Sequence, residues 1–135
     1  MRADKVVRQT LSYIEEHIEE ALSLDTIAAA LNYSKFYLAR TFAEETGCTI
    51  YKYIQGRRLT RAAEKLVKTQ QPIVEIAYEA QYNSQQAFTL AFGRLYQVTP
   101  QAYRRKGVFY PMQPKMAGGS SAVRTHCRKG GVMAA

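Results

Sequence analysis

The chain has 135 residues, 47% of them apolar and 22% charged, enough to bury a core in one domain or two very small ones. Its formal charge of +8 is unevenly placed: residues 1–79 hold 11 basic and 11 acidic side chains, whereas residues 80–135 hold eight basic ones and no acid. The asymmetry fits a polyanionic partner, nucleic acid or an anionic membrane surface; no apolar run approaches the roughly 20 residues of a membrane span, and no export signal opens the chain. Cys48 and Cys127 lie far apart without a CxxC pattern, which indicates neither a disulfide framework nor a zinc site and fits a cytoplasmic protein.

In chain order, Val7, Leu11, Ile14 and Ile18 recur at helical spacing with glutamates on the other face, so residues 4–20 read as an amphipathic surface helix. Ser23 caps a short helix over residues 24–31, and Ser34 caps a second over residues 35–46 that Gly47 ends. Leu59, Ala62, Ala63 and Leu66 stripe a long connecting helix over residues 49–70, which stops before Pro72. A short helix over residues 73–80 follows, then one over residues 84–96 capped at Asn83 or Ser84, with Phe88, Phe92 and Leu95 facing inward. Thr99-Pro100 opens a last short helix. No strand pattern precedes residue 107, and beyond it a run of Gly and Ser with scattered cations and no periodicity is expected to be a disordered tail.

The chain repeats itself. Leu24, Ile27, Ala28 and Tyr33 match Ile73, Ile76, Ala77 and Tyr82 at an offset of 49, and Ser34, Leu38 and Phe42 match Ser84, Phe88 and Phe92 at an offset of 50. Each copy has the make-up of a helix-turn-helix, with a small residue where two helices cross and a capped second helix projecting away. The fold class is therefore all-α: a first unit over residues 4–48, a linker helix over residues 49–70, a second unit over residues 71–106 and a tail over residues 107–135, about seven helices in all.

With Leu38, Phe42, Phe88 and Phe92 inward, the second helices turn Lys35, Phe36, Ala39 and Arg40 outward in one copy and Gln85, Gln86, Thr89 and Leu90 in the other. Arg and Gln near a helix N-terminus reach base edges in a major groove, so these eight residues are the candidate base readers, Arg40 and the Gln85-Gln86 pair foremost. Arg40 has an alternative partner in Glu44, one turn on. The helix N-termini at Ser34 and Ser84 suit phosphate contacts, to which Arg57 and Arg61 on the linker helix and Tyr103, Arg104, Arg105 and Lys106 are expected to add. The alternatives are pairing of the linker arginines with Glu64 and compensation of the last helix's dipole by residues 104–106. His17 and His126 have no partners for a metal site or a general base, and the ten tyrosines read as core edge. No nucleophile, carboxylate pair or phosphate-binding loop points to an enzyme, and no cofactor is implied.

On the residues 22–24, Ala28, Tyr33-Ser34, 38–42, Gly47, Arg58-Leu59, Ala62, 73–77 and above all Asn83-Ser84-Gln85-Gln86-Ala87-Phe88 with Phe92, Pro100 and Tyr103-Arg104, residues 5–106 resemble the DNA-binding domain of the AraC/XylS family. The Ser-Gln-Gln run is most similar to the small stand-alone activators of the MarA, SoxS and Rob group. The resemblance implies a bacterial, nucleoid-associated activator that places two recognition helices in adjacent major grooves of bent promoter DNA and recruits RNA polymerase. Leu90 and Ala39 depart from the polar residues common in that group, and neither side chain can hydrogen-bond a base. Two units in one chain supply both half-sites, so a monomer is expected. The competing readings are a helical protein-interaction module and a DNA-binding fragment of a larger effector-sensing regulator.

Overall fold

A computed structural model describes residues 2–116. Among these residues it holds seven α-helices and no strand: α1 (Arg2–Glu16), α2 (Leu24–Leu31), α3 (Lys35–Thr46), α4 (Ile50–Lys68), α5 (Ile73–Glu79), α6 (Gln85–Tyr96) and α7 (Pro100–Lys106). Side-chain caps set most of the starts: Ser23, Ser34, Thr49, Ser84 and Thr99 each accept a hydrogen bond from the backbone N–H three residues on. Ser84, not Asn83, caps α6. Helix α1 stops at Glu16, short of the expected residue 20, and continues as turns. Four glutamates crowd its negative end, which the helix dipole disfavours, and Arg58 draws off the carbonyls of Ile18 (2.9 Å) and Glu20 (2.6 Å).

The repeat runs further than the sequence pattern suggested. Gly47 and Gln97 both end their helices in the left-handed region, at φ 75° and 65°. Thr49 and Thr99 cap the helices that follow, and Tyr53 and Tyr103 set their rings against Phe42 and Phe92, with centroids 6.0 and 5.4 Å apart. Helix α7 is thus the second copy of the first turns of α4.

Two hydrophobic cores result. Val6, Val7, Leu11 and Ile14 of α1 pack with Ile27, Ala28, Leu38, Phe42 and with Ile50, Tyr53 and Ile54 of α4. Leu59, Ala62, Ala63 and Leu66 of α4 pack with Ile76, Ala77, Phe88, Phe92, Tyr96 and Tyr103. Each fully buried side chain of this size stabilises by about 1.5–3 kcal/mol. Helix α4 is therefore shared between the units and is not a separate linker. At about 28 Å it outruns one small core, and the two cores divide it between Ile54 and Leu59.

Residues 107–116, expected to be disordered, instead form a strap along α4. Gly107, at φ 74°, reverses the chain after α7. The Tyr110 N–H then donates to the Tyr103 hydroxyl (2.8 Å), Tyr96 donates to the Tyr110 carbonyl (2.7 Å), the Gln113 N–H donates to Thr60 Oγ1 (2.9 Å), and the Met116 N–H donates to the Tyr53 hydroxyl (3.2 Å). The equivalent tyrosines of the two copies thus each accept one backbone N–H of the strap. Gly56 permits the approach, since a Cβ there would stand 3.0 Å from Gln113 Cβ and Cγ. Except for Tyr103, seven residues before Tyr110, these partners lie 14 to 63 residues away in sequence, beyond the reach of local periodicity. Cys48 is buried and is not a free thiol; the rest of the expected tail, with His126 and Cys127, lies outside the described residues.

Candidate nucleic-acid interface

The buried phenylalanines set the rotation of both second helices. In α3, Leu38 and Phe42 are fully buried, which turns Lys35, Phe36 and Arg40 to solvent and leaves Ala39 half-buried; Phe36 is 76% exposed. In α6, Phe88 and Phe92 are fully buried, which turns Gln85, Gln86, Leu90 and Arg94 outward and leaves Thr89 half-buried; Leu90 is 58% exposed. Tyr96, stacked on Phe92 at 4.7 Å, completes the buried stripe, and the expected Leu95 packs partly buried against the same core. The two faces correspond position by position, Phe36 with Gln86 and Arg40 with Leu90. Lys35 lies 3.2 Å from Asp25 and 5.7 Å from the centre of the Phe36 ring, an exposed arrangement that a ligand could displace.

Around these faces, Ser34 and Ser84 use their oxygens as acceptors for their own helices, which leaves each hydroxyl proton to donate outward. Arg105 and Lys106 are exposed at the end of α7. The remaining phosphate candidates, Arg57, Arg61, Tyr103 and Arg104, have partners within the protein. Arg57, 8% exposed, donates from Nε and Nη2 to Glu15 and from Nη1 to the Gln113 carbonyl. Arg61 pairs with Glu15 (3.2 Å) and Glu19 (3.7 Å), not with Glu64, whose partner is Lys68. Arg104 donates to the carbonyls of Leu66 (2.8 Å) and Gln71 (2.7 Å) and so caps α4. Tyr103 is buried, its hydroxyl held by the strap.

These cations build a polar clamp between the units. Lys65 reaches Glu19 (2.6 Å) and Glu79 (2.5 Å), and Gln81 donates to the Glu19 carbonyl (2.7 Å). Burial opposes the charge on Lys65, but its two carboxylate partners outweigh burial and hold its pKa above the usual range. The Lys65 hydrogen bond holds Glu79 below the usual carboxylate range. Burial would raise Glu15, yet the Arg57 hydrogen bond and the charges of Arg57, Arg61 and Lys115 hold it low as well. Sequence reasoning missed this clamp and the capping role of Arg58. The available signal was the match between the glutamates that close α1 and the cations spaced along one side of α4.

Comparison with known proteins follows the same lines. Residues 27–106 match the family described as helix-turn-helix domain. The transcriptional regulator Rob of Salmonella typhimurium is 38% identical over 123 residues, 90% of this chain and 43% of Rob, so the chain spans less than half the length of that relative. The regulatory protein SoxS of Escherichia coli K12 is 40% identical over 106 residues, 78% of this chain and 99% of SoxS. Among solved structures, the C-terminal domain of AraT, a response regulator from Geobacillus stearothermophilus, aligns with a TM-score of 0.72 and 33% identity over 83% of this chain and 93% of its own.

Proposed function

The chain belongs to the AraC-type helix-turn-helix family of DNA-binding transcription regulators, and from that premise we propose that it reads a bipartite promoter site by placing α3 and α6 in adjacent major grooves. The observation that carries the reading is the duplication: two helices, each capped by a serine and each turned by buried aliphatic or aromatic side chains, present equivalent outward faces from one shared core helix. Lys35, Phe36, Ala39 and Arg40 would meet bases in one groove and Gln85, Gln86, Thr89 and Leu90 in the next, while Ser34, Ser84, Arg105 and Lys106 meet phosphates.

One chain carries both units, so a monomer on DNA suffices. The clamp of Glu15, Arg61, Lys65 and Glu79 resists relative movement of the units. A rigid pair of helices that cannot both reach straight DNA bends it, at a cost of a few kcal/mol that the second set of contacts offsets. Activation, with RNA polymerase as the protein partner, extends this reading by resemblance, and no catalytic step is assigned. No helix among the described residues is long and apolar enough to cross a membrane.

Selection of bound sequences from random duplex DNA tests the proposal. An enriched motif with half-sites about one helical turn apart, bound at least about 1000-fold tighter than scrambled DNA and bent in a circular-permutation gel, is the expected result. A single enriched half-site would reduce one unit to a phosphate clamp, and no enrichment would overturn the proposal.

A further inference from the structure

The two outward faces are built alike and differ in chemistry. Buried Phe88 and Phe92 place Gln86 and Leu90 one turn apart on the exposed side of α6, where α3 has Phe36 and Arg40. The register thus exchanges a guanidinium for a branched alkyl group. An exposed leucine by itself is ordinary; this one shares its position with the strongest base-reading candidate of the other helix and stands beside a glutamine suited to adenine. Gln85, Gln86 and Thr89 are uncharged too, so none of the four candidate base readers of α6 carries a cation; the outward cation of this helix, Arg94, lies one turn further on, in its last turn.

Arg donates two hydrogen bonds to the O6 and N7 of guanine, whereas Leu donates none, and a leucine pressed on a G·C edge would strip water from acceptors it cannot satisfy. Thymine alone among the four bases offers an apolar methyl group in the major groove. Residues four apart advance about 6 Å along a helix, close to two base steps of about 3.4 Å, so Gln86 and Leu90 address pairs about two steps apart.

We infer that the half-site under α6 is A·T-rich, with Gln86 on an adenine and Leu90 against the 5-methyl group of a nearby thymine, while the half-site under Arg40 contains guanine. The operator is then chemically asymmetric and the chain binds it in one orientation. The inference rests on the proposed reading of α6 as a recognition helix.

Deoxyuridine tests it, because it removes only the methyl group. Each thymine of the α6 half-site in the selected sequence is replaced singly and binding of the full chain is titrated. One position is expected to weaken binding by about fourfold, the worth of one buried methyl. Leu90→Ala should erase that difference without altering the response at other positions, and Leu90→Arg should move selection at that position towards guanine. If a bipartite site is enriched but none of its thymines responds to methyl loss, or if Leu90→Ala leaves the response intact, the inference is overturned and the recognition reading stands. If no sequence is enriched, the recognition reading itself fails.

Discussion

Arg57 of α4 and Glu15 of α1 form a two-pronged ion pair, at 3.1 Å from Nε and 2.8 Å from Nη2, while Nη1 of the same guanidinium donates to the Gln113 carbonyl at 2.8 Å. One side chain thereby joins the first helix, the shared helix and the strap. Removing one partner of such a pair leaves the other charge without compensation in a nearly dry site. Arg57→Ala is expected to destabilise the fold by about 3 kcal/mol in urea titration and to leave the salt dependence of DNA binding by the folded protein unchanged. Unchanged stability with a shallower salt slope would return Arg57 to the phosphate backbone.

The same pair predicts a pH dependence. The pKa of Glu15 is lowered on folding from an ordinary value of 4.5. A carboxylate depressed in the folded state contributes stability that is present above its unfolded pKa and is lost as pH falls through the folded one. Stability should therefore drop as pH descends below about 4.5, and Glu15→Gln, already less stable at neutral pH, should show a flatter acid limb. Parallel acid limbs in the two proteins would contradict the linkage.

Ending the chain at Gly107 would unmask Tyr53, Thr60, Tyr96 and Tyr103 and expose the packing surface of Met116. A loss of about 3 kcal/mol is expected in thermal or urea unfolding, by analogy with removal of buried side chains. A truncated chain as stable as the full one would mean that the strap adds nothing to the two cores.

Base and phosphate contacts separate by their effect on specificity. Arg40→Ala should weaken the selected site by about 1–3 kcal/mol and random DNA much less, whereas Lys106→Ala should weaken both alike and reduce the salt slope by about one. Titration of both duplexes at several salt concentrations decides the matter. Equal losses for Arg40 would make it a phosphate contact.

What the sequence determined alone was local. Helix existence, the capping serines and threonines, and the buried stripes Leu38–Phe42 and Phe88–Phe92 follow from short-range periodicity and turn chemistry, and the outward faces of α3 and α6 follow from those stripes. The repeat could be read because both copies carry the same short-range signals. Tertiary structure decided the use of the long polar side chains. Arg57, Arg61 and Arg104 read from the sequence as phosphate contacts, yet they, like Arg58 and Lys65, meet acceptors on elements distant in sequence, from Glu15 to the end of α4. The same holds for the strap, whose order comes from hydroxyls of Tyr53, Thr60 and Tyr103 brought to it by folding. Periodicity reports which face of an element is apolar, but a charged group's partner is set by where other elements come to rest.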